Sequence, residues 1–412
     1  MKVEKALKGV RISLSFNSVL LRGVCLLCFL IGPGRAEEAA RDELDDLMPE
    51  VSSPVLMGLF KGRTPESRQA AEAQYGGGVE KFSEPVVSKA LKWLKTHQQK
   101  DGSWNVEGTP EGEGNVICTS LALLAFIGHG ETPASAEYGA TVSKALQYLV
   151  AQQDEQGVFR PVDADPVTGQ AIASYALAEA FIMTENPVLR ESLKRGIEVM
   201  RLQMGNPEEK RGTLSGAWQV QALSSASWVF RGDPEVGKLV QLAMDEMLLR
   251  SGKQEVNKTT VAAEAFALHL ARRMNSEELR EAIQFLGKYT LPDTVPRWGN
   301  SKVDAEPGGG ILFWYLAVNA FFCEDPAGDN FGRFMPALVK ALVQNQAEDG
   351  HWNGYTEEGK RLGPVVNTSL ASMSLMVFYV FHHVNYVYIP VPGEFDQEAD
   401  EVEEEEGVEF DF

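Results

Sequence analysis

The chain has 412 residues, of which 44% are hydrophobic and 9% aromatic, enough apolar mass for a large core. Its formal net charge is -20, and a surface of that sign repels phosphate backbones, which argues against nucleic acid as a partner. With 4 cysteines in this length, a disulfide-dense scaffold is excluded.

The N-terminus is basic. Lys2, Lys5, Lys8 and Arg11 precede an apolar run from Val24 to Ile31, and Gly34-Arg35-Ala36 puts small residues where a signal peptidase reads. Residues 1–36 read as a secretory signal, which makes the protein secreted or periplasmic. The competing reading is an uncleaved anchor that keeps the chain near a membrane, although the run is shorter than the ~20 residues a spanning helix needs. Residues 37–84 read as a linker, partly helical. Beyond the signal only Cys118 and Cys323 remain; both sit in apolar runs, where a buried free thiol is expected, and a four-cysteine metal site is excluded.

A repeat follows. Gln98…Gly102-Ser103-Trp104, Gln153…Gly157-Val158-Phe159 and Gln346…Gly350-His351-Trp352 share one pattern: Gln, three residues, Gly, one residue, aromatic. Each copy closes a helix-like stretch. The glycine allows a left-handed helix end, the glutamine can bond exposed peptide groups, and the aromatic can fold back over the turn. Weaker helix starts at 196, 243 and 282 join those at 90, 145 and 341, at spacings of 39 to 59 residues, room for two helices and two loops.

A second helix fills each interval, near Val116–Ile127, Gly169–Met183, Leu214–Phe230, Thr259–Arg273, Gly310–Cys323 and Val366–Phe381. These are rich in Ala, Ser and Leu with few charges on any side, so they are expected to be buried nearly all round. The first set carries a charged face and is expected outside. Six inner and six outer helices predict an all-α (α/α)6 toroid over 85–384, with an open superhelical solenoid as the alternative. The last 19 residues, Glu394 to Phe412, hold eleven acidic and no basic side chains, so 385–412 reads as a solvated, disordered tail.

The Gln98–Trp104 and Gln346–Trp352 motifs resemble the QW repeats of squalene and hopene cyclases. Cys118–Phe126 and Gly216–Leu223 look like inner helices of exported bacterial members of the terpene cyclase and protein prenyltransferase superfamily. The resemblance implies the same toroid, and the catalytic strings of that superfamily are then missing one by one. Where hopene cyclases carry Asp-x-Asp-Asp, this chain has Asp163-Ala164-Asp165-Pro166, with proline in the last place. Cys118 and His269 lie on inner helices, but the Asp-x-Cys pair of the prenyltransferase zinc site is absent, as is the thioester string. No metal site and no cofactor is identified.

Two carboxylate pairs remain as catalytic candidates. Asp163 and Asp165 precede the second inner helix, and Asp304 and Glu306 the fifth. In a ring of six these loops fall about opposite each other on one rim, where four carboxylates could do acid/base chemistry or hold a cation, or could simply cap helices. Tyr175, Trp218, Gln221, Glu264, Trp314, Tyr315 and Asn319 are the candidate ligand-binding residues of the cavity; the aromatic ones can also be packed core, and Glu264 either faces a wet cavity or is paired. Three functions stay open: a toroid that binds a hydrophobic small molecule, a polysaccharide or a protein partner without the family's known catalysis; a diverged terpene cyclase with an Asp general acid; and a polysaccharide lyase or hydrolase with paired carboxylates.

Overall fold

The computed structural model describes residues 63, 64, 68–71, 73, 80–106, 115–160, 165–206, 212–231, 233–251, 256–306 and 310–380. The N-terminal signal or anchor and the acidic tail lie outside the described residues.

Twelve helices alternate between two layers. The outer set is α1 (Glu80–Thr96), α3 (Gly139–Ala151), α5 (Pro187–Met204), α7 (Pro234–Ser251), α9 (Glu277–Gly287) and α11 (Asp329–Asn345). The inner set is α2 (Val116–Gly128), α4 (Pro166–Thr184), α6 (Thr213–Val229), α8 (Lys258–Leu270), α10 (Gly310–Glu324) and α12 (Glu357–Leu375). Each inner helix packs against the next, and α12 returns to α2, so the inner ring is closed. Closure decides against the open solenoid, and the fold is the expected α/α toroid.

The two layers follow from composition. In α2 every residue but Ile117 is buried, because the helix touches neighbours on both sides, the outer layer and the interior. Alanines in α4 and α8 let backbones approach closely. Buried serines in α12 turn back on their own helix: Ser369, Ser372 and Ser374 donate to the carbonyls of Val365, Thr368 and Leu370 at 2.7–2.8 Å. Outer α11 instead buries one stripe, including Phe331, Phe334, Leu338 and Leu342, at helical spacing. Side-chain caps start four inner helices: Asn115, Asp165, Asn257 and Thr356 accept from Cys118, Thr168, Thr259 and Gly359 backbone N–H groups respectively. α12 is kinked at Gly363 (φ 76°), immediately before Pro364. Asn367 Nδ2 donates to the carbonyls of Gly363 and Gly359, both at 2.7 Å, so the broken turn keeps its hydrogen bonds.

The repeated motif is a clasp between neighbouring outer helices. Gln98 Nε2 donates to Gly102 O within its own turn and to Thr141 O at the start of α3, both at 2.9 Å. Gln153 does the same to Gly157 O (3.1 Å) and to Ser192 O on α5 (2.9 Å). Gln346 reaches Gly350 O and, across the chain's own closure, Val86 O on α1, both at 2.8 Å. Gly102, Gly157 and Gly350 all have φ between 92° and 112°, and a Cβ on Gly350 would lie 2.4 Å from Lys89 O. Trp104 and Trp352 are fully buried; their Nε1 groups donate to Leu94 O (2.8 Å) and Leu342 O (2.9 Å), ten residues back on the same outer helix. The three clasps therefore bind α11, α1, α3 and α5 into one arc that contains the seam where the ring's first and last helices meet.

At the other end of α2, His129 sits between Glu131 (2.9 Å) and Glu84 (3.1 Å). Burial pulls its pKa down, but the two carboxylate hydrogen bonds outweigh burial and nearby Arg68, so the net shift is upward. A histidine with a raised folded-state pKa contributes stability that is fully present below its unfolded value, about 6.5, and lost as pH rises through the higher folded value. The melting temperature is thus expected to fall as pH rises from slightly acidic to alkaline. His129→Gln should flatten that slope, and an unchanged slope would show that His129 does not set it.

Candidate functional site

The centre of the ring is filled at mid-height. Tyr175, Trp218, Gln221, Trp314, Tyr315 and Asn319 are all buried. Trp218 on α6 stacks on Tyr315 of α10 with centroids 6.0 Å apart and planes 13° from parallel. Tyr315 Oη donates to Gln221 Oε1 at 3.5 Å, and Asn319 Nδ2 donates to Tyr315 O at 2.7 Å. Because α8 separates α6 from α10 in the ring, the Trp218–Tyr315 and Tyr315–Gln221 contacts cross the interior, whereas the Asn319 bond stays within α10. Tyr175 comes from α4, on the opposite side, and is raised by burial and then by Tyr315 across the axis. Five of these six candidates thus pack against one another or the interior. Trp314 stands higher, against Trp298 (6.1 Å) and Tyr355 (5.6 Å).

Two sequence expectations are corrected here. Glu264 does not face the interior: it is half-buried, bonds Ser251 at the end of outer helix α7 and feels Glu278 of α9, and burial raises its pKa. Asp165 is an exposed helix cap, accepting from Thr168 N (3.1 Å) and Thr168 Oγ1 (2.6 Å), so both its oxygens are occupied by α4. Its partner Asp163 lies outside the described residues. The expectation of four carboxylates at one mouth is therefore not met by Asp165.

Asp304 and Glu306 do reach a cavity. It has a volume of about 520 Å³ and opens between the N-terminal ends of α6, α8 and α12 and the segment that precedes α10, within the size range of small-molecule sites. The chain between α9 and α10 forms one wall through a short helix, Ser301–Asp304. The other walls bring Asn257, Thr260, Tyr355, Glu358 and Arg361. The capping role first open to Asp304 and Glu306 is not the one they play, since α10 begins only at Gly310.

The wall is pinned from below by Lys258. This lysine is 1% exposed, and its ammonium donates to Val303 O and, at 3.4 Å, to Glu306 O. It thereby satisfies the carbonyl end of the short helix and lies 5.8 Å from the centre of the Phe313 ring. Burial pulls the Lys258 amine down, while Glu306, Asp304 and Glu358 pull it back up. Asp304 is raised by burial, against the opposing pull of Lys258 and a hydrogen bond from Tyr355. Tyr289 donates to Glu306 Oε2 and is raised by burial and that bond. Tyr355 is raised for the same reasons, by burial and by Asp304. Two carboxyl–tyrosine pairs, Asp304–Tyr355 and Glu306–Tyr289, thus flank the segment whose carbonyls Lys258 holds, and of these side chains Asp304, Glu306 and Tyr355 line the cavity. Thr259 lines the cavity and is 3% exposed, and its hydroxyl finds no hydrogen-bond partner among the described residues.

Sequence reasoning missed Lys258, Tyr289 and Tyr355. Only Lys258 carried a signal, as a lone cation at the start of a helix otherwise apolar. A second cavity, about 320 Å³, lies beside Phe159 between α4 and α5, and no ionisable side chain lines it. Among the described residues no group of three or more His, Cys, Asp or Glu side chains could hold a metal ion. Cys118 is buried and Cys323 is partly buried. No described helix is long and apolar enough to cross a membrane.

No protein-family profile matches the chain. It is 30% identical over 88 residues to the squalene–hopene cyclase of Bradyrhizobium diazoefficiens, a match covering 19% of this chain and 13% of that protein. Among solved structures it is similar to an inactive variant of an α-1,6-mannanase of Salegentibacter in complex with α-1,6-mannotriose, with TM-score 0.53 and 11% identity over 72% of this chain and 98% of that one. It is also similar to the type II terpene cyclase MstE from Scytonema, with TM-score 0.49 and 12% identity over the same shares. At these identities the likeness to the solved structures is one of fold. With its closed double ring, the chain has an α/α toroid fold, and its clasps are similar to the QW repeats of the cyclases.

Proposed function

We propose that the protein is an exported toroid that binds a hydroxyl-rich ligand, a neutral oligosaccharide, at the N-terminal mouth of its inner ring. The observation that carries this reading is the contrast between the two parts of the interior. The centre is occupied by Tyr175, Trp218 and Tyr315, leaving a polyprenyl chain no room at mid-height, whereas the mouth holds 520 Å³ lined by carboxylates, hydroxyls, amides and Tyr355. Carboxylates such as Asp304 accept hydrogen bonds from sugar hydroxyls, and a tyrosine ring offers a face to a pyranose. The mannotriose held by the mannanase of similar fold makes α-linked mannosides the first probes to use.

Calorimetric titration with mannotriose is expected to show binding that Asp304→Asn weakens by roughly tenfold or more, the scale of one hydrogen bond to a charged group. Equal affinity in both proteins would sink the assignment of Asp304.

Hydrolase or lyase chemistry at the same mouth is the second reading, and the upward-shifted carboxyl of Asp304 close to Glu306 favours it. The two readings carry opposite signs. An Asp304 that accepts hydrogen bonds must be ionised, so affinity rises as pH climbs through its raised pKa. An Asp304 that acts as general acid must be protonated, so turnover falls over the same range.

A further inference from the structure

Glu179 is an outlier in the ring. It lies in Ala176-Leu177-Ala178-Glu179-Ala180, on an inner helix that is apolar nearly all round, and it has no exposed surface. An ionised carboxylate in that setting costs several kcal/mol unless a counter-charge and hydrogen bonds are supplied. The counter-charge comes from outside the ring. Arg63 precedes the first ring helix, yet its side chain is buried beside Glu179. One guanidinium nitrogen pairs with Glu179 Oε2, and another donates to Glu179 O at 3.2 Å. Ser225 on α6 donates to Oε1 of the same carboxylate. Burial pulls Arg63 down to about 9, still above neutral pH, so the pair is ionic.

The backbone of the segment is seated as closely as its side chain. Gly130, just past α2, has φ 95°, and a Cβ there would lie 2.4 Å from Arg63 O. Further along, Arg68 donates to His129 O at 3.0 Å, and Ala71 is fully buried. Glu179, Ser225 and Gly130 all belong to the C-terminal ends of inner helices, the rim opposite the polar cavity.

We propose that this C-terminal mouth is a guanidinium-binding socket and that Arg63 is its intramolecular ligand, a peg that keeps one end of the ring shut. The socket has the parts such a site needs: a buried carboxylate held by the Ser225 hydroxyl, a main-chain carbonyl as a further acceptor, and a glycine that lets the peg's backbone come close. Tethering makes the effective concentration of the peg high, so the socket stays filled in the intact chain.

The test is chemical rescue in the full chain. Arg63→Ala is expected to melt roughly 10 °C below the parent, since it leaves a buried charge unpaired. Millimolar ethylguanidinium should then recover part of that loss in a saturable way, and ethylammonium should not. The double variant Arg63→Ala/Glu179→Gln should respond to neither. An unchanged melting temperature in Arg63→Ala, or equal rescue by both cations, or rescue that persists in the double variant, overturns the proposal. Should Arg63→Ala fail to fold, hydrogen exchange on the parent decides: amides of residues 63, 64 and 68–71 protected as strongly as those of α2 and α4 support the peg, and complete exchange within seconds refutes it.

Discussion

Trp352→Ala is expected to destabilise the protein by about 3–5 kcal/mol, the cost of emptying a fully buried indole site. A further ~1 kcal/mol follows from leaving Leu342 O without its donor. Trp352 has no exposed surface, and the clasp it anchors joins α11 to α1 through residues some 260 positions apart in the chain. Its neighbours span the same seam: Trp93 Nε1 donates to Asp349 Oδ2 at 3.1 Å, and the Trp93 ring lies 5.0 Å from His351. Trp352→Phe keeps most of the apolar volume and loses the N–H, so a smaller loss, about 1–2 kcal/mol, is expected. Denaturant unfolding measures both. Similar, small losses for the two variants would show that the seam does not depend on the clasp.

Lys258→Met should affect both the stability and the chemistry of the mouth. The substitution is close in shape but removes the charge-assisted bonds to Val303 O and Glu306 O, each of a kind that contributes about 1.5–3 kcal/mol. Glu306 O then loses its ammonium donor, Val303 O keeps only main-chain N–H donors such as Glu306 N at 3.2 Å, and the wall carrying Asp304 and Glu306 loosens. The electrostatic sign is fixed as well. Lys258 is one of the groups holding Asp304 down against burial, so its removal sends the Asp304 carboxyl higher. The midpoint of the pH dependence of ligand binding is expected to move upward in Lys258→Met, and carboxyl-carbon NMR titration of Asp304 reads the same shift directly. A midpoint that stays in place would mean that the ammonium and the carboxyl do not communicate.

The two ends of the ring differ in character. The N-terminal ends of α6, α8 and α12 and the segment before α10 gather polar and ionisable groups that solvent reaches. The opposite end is sealed by an ion pair whose two side chains have no exposed surface. A ligand entering by the open mouth meets the packed layer of Trp218 and Tyr315 below it, which suits a site that holds a short polar ligand at the rim.

The sequence by itself determined the layers of this protein and their number. Period and composition separate a helix with one apolar stripe, such as α11, from one that is apolar all round, such as α2, because each residue's burial follows from how many neighbours its helix must meet. The Gln–Gly–aromatic strings marked real turns, since a left-handed glycine and a returning indole are local requirements that any copy must meet. The same logic could not assign azimuth. A helix that is apolar on every side gives no clue to which face looks toward the axis, so Glu264 and Glu179 look alike in sequence, each a lone acid among alanines. Tertiary packing turned Glu264 outward to Ser251 and Glu179 inward to Arg63. Nor could spacing decide the fate of the two carboxylate pairs: Asp165 caps its own helix by a local contact, whereas Asp304 and Glu306 are held in the mouth by Lys258, 45 or more residues away. Helical layering is written in short-range pattern; the site depends on charges that meet only once the ring has closed.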